Sequence, residues 1–204
     1  MKHFRKIKKA LIILCTVSLL FVLLFVCSTA LDYGGIYEKT VRLHVLAHSD
    51  DPQAQQLKLQ VRDDLLVLLD EALADCKDKK QAQRRLEELL PVLQARAEKT
   101  LAEHGCPEQV TVTLSVEEYP TRVYDHCTYP AGSYTSLRVL IGEGQGQNWW
   151  CVVYPPLCLS ASDASGGGYT EEEQALLEGE TEGYRLKFAL LEWGSRLVKR
   201  LRGR

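Results

Sequence analysis

The sequence predicts an α+β domain with helices packed on one face of a mainly antiparallel sheet, preceded by an apolar N-terminal helix. Three observations predict it. The N-terminus is basic and then uncharged and apolar. Residues 41–45, 110–116 and 137–141 alternate apolar with other residues, the period of a strand. Between the first two lie long stretches with an apolar residue every three or four positions, the period of a helix.

Taking the elements in order, Lys2, Arg5, Lys6, Lys8 and Lys9 precede an uncharged run from Ala10 to Ala30. Such a run is long enough, at about 1.5 Å per residue, to cross the ~30 Å hydrocarbon layer as a helix. Ser28-Thr29-Ala30 offers the small residues a signal peptidase reads, favouring a cut before Leu31, whereas Leu24-Phe25-Val26-Cys27 is a poor lipobox because Val26 is large. Residues 1–30 therefore suit either a cleaved signal or an anchor, with membrane contact through residues 10–30 if uncleaved. In both cases the basic flank stays in the cytoplasm and everything from Leu31 onward lies outside.

A strand is expected from Tyr37 to Ala47. The turn His48-Ser49-Asp50-Asp51-Pro52 ends it and starts a helix, with Asp50 or Asp51 as cap and Pro52 in the first turn. Leu57, Val61, Leu65, Leu68 and Ala72 form that helix's apolar stripe. A second helix runs from Lys79 to His104, with a kink or break expected at Pro91 and an end at Gly105. Val110–Val116 is the cleanest strand. Arg122–Tyr124 reads as a short extended piece and Tyr134–Ile141 as a further strand. The glycine-rich hexapeptide 142–147 joins it to Asn148–Tyr154 as a hairpin, and Pro155-Pro156 stops the chain. Residues 31–159 thus make the folded domain, 160–183 a flexible acidic linker, and 184–204 a basic C-terminal helix.

Composition narrows the function. The chain has 204 residues, 46% apolar and 25% charged, which suits one globular domain with appendages, and its net charge of -2 gives no reason to expect nucleic acid. Of the 7 cysteines, those beyond the signal are Cys76, Cys106, Cys127, Cys151 and Cys158, and outside the cytoplasm disulfides become possible. A reversal at the prolines can bring Cys151 and Cys158 within bonding distance. Cys76 and Cys106 fall at opposite ends of an antiparallel helix pair and are not expected to bond.

No cofactor or metal is expected. Gly142, Gly144 and Gly146 precede a Trp-rich strand, whereas a phosphate loop needs a helix N-terminus. His44 and His48, with Asp50, are too far apart along a strand to share a metal. A thiol nucleophile at Cys151 or Cys127, served by His126 or His44, is the chemical alternative, a secreted cysteine-dependent hydrolase. Against it, Cys151 sits inside an apolar strand. The aromatic pair Trp149-Trp150 and the basic last helix are the better interaction candidates.

These motifs converge. Val41-Arg42-Leu43-His44-Val45-Leu46-Ala47-His48-Ser49-Asp50-Asp51-Pro52, continuing through Gln56-Leu57-Lys58 to Val61-Arg62-Asp63, resembles the opening signature of the stage II sporulation protein R family. So do Tyr129–Tyr134, the block Gly144–Cys158 with its Trp-Trp-Cys centre, and Tyr184–Glu192. His48 stands where the family is expected to carry Asn. The resemblance implies a non-enzymatic signal of endospore formation, made in the forespore and exported into the space between forespore and mother cell. There it would activate a membrane-embedded aspartic protease that processes the precursor of sigma factor E. Trp149, Trp150, Arg42, His44 and Asp50 are the residues expected to make or shape the contact.

Overall fold

The computed structural model describes residues 2–124, 127–156 and 168–179. It begins with α1 (Lys2–Lys39), whose segment Ile7–Leu24 has a mean hydropathy of 2.4 and none of its surface covered by the rest of the protein. Among the described residues this is the one helix long and apolar enough to cross a membrane, and it is compatible with either secretion or anchoring.

The helix runs on into the domain. Tyr33 and Ile36 are fully buried, and the hydroxyl of Tyr37 donates to the carbonyl of Ala131 at 3.0 Å. Tyr37–Lys39, expected in the first strand, are therefore helical. Tyr33, Ile36 and Tyr37 fall on one side of a helix, and burying them together outweighs the strand preference of the next residues.

β1 (Val41–Leu46) follows, then α2 (Pro52–Leu73). Asp51 is the cap: its carboxylate accepts from the backbone N–H of Gln53 at 3.0 Å and of Ala54 at 3.4 Å. α3 (Lys79–Glu103) begins at Asp78, which accepts from Gln81 N–H at 2.8 Å. It remains one helix through Pro91. Pro91 lies on the exposed side, where water can satisfy the carbonyl that proline leaves without a donor. Asp64 of α2 accepts from Thr100 at 2.5 Å and Arg96 at 3.2 Å of α3, tying the two helices together.

The remaining strands are β2 (Val110–Tyr119), β3 (Arg122–Val123), β4 (Thr128–Tyr129), β5 (Gly132–Ile141) and β6 (Asn148–Tyr154). Four of them form one sheet in the order β2-β5-β1-β6, while β3 and β4 make a small ladder of their own. β2 and β6 run antiparallel to their neighbours, and β1 lies parallel to β5. The β5–β6 hairpin expected from the sequence is thus absent: β1 occupies the place between them. Residues 142–147 instead bridge two strand spacings, about 10 Å, across the end of β1. Gly146 permits it, its N–H donating to Ala47 O at 2.9 Å, where a Cβ would stand 2.2 Å from the carbonyl oxygen of Ser49.

Two cores result. Val41, Leu43, Val45, Val110, Val112, Leu137, Val139 and Ile141 pack on Leu57, Val61, Leu65, Leu69, Leu86, Leu93 and Leu101 of α2 and α3. Each such buried side chain contributes about 1.5–3 kcal/mol. The opposite sheet face is covered at one end only. There Tyr119, Tyr134 and Val152 meet Tyr33 and Ile36 of α1, Cys127, Tyr129, and Leu176 and Leu177 of α4 (Glu171–Glu178).

α4 lies within the stretch read as linker. Thr170 and Glu173 cap it reciprocally, Gly179 ends it at φ 77°, and its two leucines supply the apolar side that the acidic composition obscured. The basic helix expected over 184–204 lies outside the described residues, as do His126 and Cys158.

Candidate interaction surface

The covered end of the second face is organised by Arg42. The strand period sends Val41, Leu43 and Val45 toward α2 and α3, so Arg42 and His44 must face the other way. Arg42 is fully buried. Its guanidinium carbon stands 4.5 Å from the ring centre of Tyr119, 5.1 Å from Tyr134, 5.2 Å from Tyr129 and 5.8 Å from Tyr124. Nε donates to Cys151 O at 3.1 Å and Nη2 to the Tyr124 hydroxyl at 2.8 Å, while Nη1 is buried without a hydrogen bond.

Burial raises the pKa of all four phenols, against the opposing pull of Arg42. The rings are therefore neutral, and among the described residues the cation is met by their π faces and by no carboxylate. Arg42 shapes the surface from within and cannot touch a partner.

One residue pair further along β1 the cover ends. The register aligns Thr113, Arg138, His44 and Trp150 in a row across β2, β5, β1 and β6. His44 Nδ1 lies 3.2 Å from Glu117 Oε2, and its Nε2 lies 2.7 Å from Asn148 Oδ1. Arg138 Nε approaches Glu117 at 3.6 Å. Burial disfavours the charge on Glu117, but hydrogen bonds from His44 and Ser136 and the nearby cations outweigh it and hold the carboxyl below its usual range.

Trp150 marks the boundary between buried and open face. It stacks near His44, with ring centres 5.5 Å apart, and near Tyr119 at 6.2 Å. Arg122 lies over it, with the guanidinium carbon 3.6 Å from the ring centre. Trp149, one residue earlier, points to the α2 side and carries Arg62 over its ring at 4.8 Å. Neighbouring strand residues face opposite ways, so the two tryptophans serve different faces.

The motifs singled out in the sequence meet at this rim. Lys58, only 4% exposed, donates to Gln55 Oε1 at 2.6 Å and to Gln147 O at 2.9 Å, pinning α2 to the crossover. Burial, then neighbouring Arg62, lowers its pKa, with Asp50 pulling the other way. Asp50 itself is exposed on the turn, near enough to be felt by Lys58.

Cys151 is disulfide-bonded, whereas Cys15, Cys76, Cys106 and Cys127 are free. Its expected partner Cys158 is outside the described residues. Cys127 is 4% exposed, and burial pushes its thiol up to about 11.

Of the residues singled out in the sequence, His44 and Trp150 lie at this edge and Arg42 beneath it, whereas Trp149 faces the α2 side and Asp50 is exposed on the turn after β1. The sequence carried no sign of Glu117 or Arg138, which join the site through strand order and register, and it marked Asn148 only as part of the Gly144–Cys158 block. The short extended piece at Arg122 was the one available hint.

The molecule is thus an α+β domain on an apolar N-terminal helix, with a cation–aromatic surface at the open end of its sheet. Comparison with known sequences makes the class specific. The family model described as Stage II sporulation protein R matches residues 37–164. The Bacillus subtilis (strain 168) protein named Stage II sporulation protein R is 34% identical over 139 residues, 68% of this chain and 61% of the relative. The chain belongs to the stage II sporulation protein R family. The match spans about 61% of the curated relative's length. No solved structure matches.

Proposed function

We propose that the protein is a non-enzymatic sporulation signal acting outside the membrane of the cell that makes it. It docks on the extracytoplasmic side of a membrane-embedded aspartic protease and favours that protease's active arrangement, which processes the precursor of sigma factor E. Family membership supports the role in sporulation, and the apolar α1 suits export into the space between forespore and mother cell.

The observation that carries the choice of a ligand over a catalyst is the state of Cys151. The nucleophile of the alternative hydrolase is held in a disulfide, and His44, its candidate base, is engaged by Glu117 and Asn148. A thiolate nucleophile needs a free sulfur and a base within reach. An equilibrium shift, by contrast, needs only a surface that binds one state of the receptor more tightly.

The test is co-expression of the chain with the protease and the sigma precursor in a cell that does not sporulate. Precursor processing should rise when the chain is present. No rise overturns the reading. Cys151→Ser should lower the melting temperature yet leave processing within a few-fold of wild type once the protein is folded; a hydrolase would lose nearly all turnover.

A further inference from the structure

We infer that Arg122, standing over the Trp150 ring, is the receptor for a carboxylate carried by an acidic segment of the protein partner. This rests on the signalling reading above and names the chemistry by which that surface would recognise its receptor.

Arg122 differs from Arg138, the neighbouring arginine of this face, whose Nε faces Glu117 at 3.6 Å. Arg122 has no carboxylate partner among the described residues, and its Nε is buried without a hydrogen bond. Burial disfavours its charge, and so does the nearby Arg42, with Tyr124 opposing them. A cation left in this state gains more than a solvated one from an incoming anion, because part of its hydration is already lost.

The stack also fixes orientation. With the guanidinium 3.6 Å from the Trp150 ring centre, its remaining N–H donors lie in one plane, the fork that matches a carboxylate. Trp150 is braced in turn by His44 and Tyr119, so little freedom is lost on binding. Arginine and an aromatic side by side have the composition of an interface hot spot. The cationic fork, with no paired acid among the described residues, selects an acidic partner over a basic or purely apolar one.

The experiment uses the full chain in the co-expression assay just described, with Arg122→Glu, Arg122→Gln and Arg122→Lys. Wild type must raise processing; if it does not, the signalling reading fails before this one is reached. Given that rise, Arg122→Glu and Arg122→Gln should lower activation roughly 10- to 100-fold at unchanged protein level and melting temperature, with Arg122→Lys in between. Replacement of single extracytoplasmic Asp or Glu residues of the partner by Lys should restore activation by Arg122→Glu at one position and impair the wild type there. Should Arg122→Glu prove less stable, Arg122→Gln decides alone. Activation by Arg122→Gln within twofold of wild type overturns the proposal, and so does the absence of any restoring charge swap.

Discussion

Replacing Arg42 separates a structural cation from a decorative one. Arg42→Ala removes a fully buried side chain, at a cost of about 2–5 kcal/mol for a large-to-small change in a core. It also takes the donor from Cys151 O and from the Tyr124 hydroxyl, and an unsatisfied buried carbonyl adds about 1–3 kcal/mol. The sum, roughly 3–8 kcal/mol, is a large share of the ~5–15 kcal/mol that holds an ordinary domain together. Arg42→Met keeps most of the volume but still leaves the Cys151 carbonyl without its donor, so its cost should fall to about 1–3 kcal/mol. Urea unfolding of the full chain in mild detergent, followed by tryptophan fluorescence, reads both. The order Ala below Met below wild type is expected. An alanine variant within about 1 kcal/mol of wild type would refute the idea that four rings and two acceptors are assembled around this cation.

Three further perturbations probe other parts of the structure. Gly146→Ala should cost about 1–3 kcal/mol by overpacking, because its Cβ would press on the backbone of Ser49 at 2.2 Å; an unchanged melting temperature would contradict the crossover geometry. Asp64 has its pKa lowered chiefly by the hydrogen bond from Thr100, against burial and helped by Arg96, so its stabilisation is present above the ordinary aspartate range and lost as pH falls through the lowered value. Asp64→Asn should therefore flatten the acid limb of a stability-versus-pH curve below the ordinary aspartate value of 3.8, and an unaltered limb would show the α2–α3 tie to be idle. A chain beginning at Leu31 should melt like the full protein, whereas one beginning at Val41 loses Tyr33, Ile36 and Tyr37 from the second core, about 4.5–9 kcal/mol of burial; equal melting of the two would show that α1 adds nothing to the domain.

The helices and strands were legible because each rests on a local pattern. Asp51-Pro52 announces α2 by itself, and the alternation in β2 needs no distant partner. What escaped the sequence depends on residues far apart along the chain. The glycine-rich stretch 142–147 joins two strand patterns, and nothing local says that β1, a hundred residues earlier, slips between them. Tyr37 has the side chain of a strand residue and belongs to a helix only because Ala131 and Tyr134 stand ready to cover it. α4 was hidden by composition: the acidic residues around it read as linker, although the Thr170–Glu173 capping box was present in the sequence. The same limit applies to the candidate surface. Trp150 was visible as an aromatic in a specific block, but the guanidinium that covers it comes from a short ladder that has no periodicity to detect.

Burial and recognition are coupled on this face through one strand. Arg42 and His44 lie two residues apart on β1 and point the same way, one beneath the tyrosines and one at the edge of their cover. Trp150 touches both environments, with Tyr119 on one side and His44 and Arg122 on the other. Tyr124 accepts from Arg42 and itself donates to Trp150 O at 3.3 Å, and it is only two residues from Arg122. The buried cation therefore fixes the ring that fixes the strand on which the exposed cation rests. A surface held in this way presents its donors without first having to order them, which lowers the entropic cost of binding. Substitutions inside the tyrosine cluster should accordingly weaken recognition even where they leave every exposed charge in place.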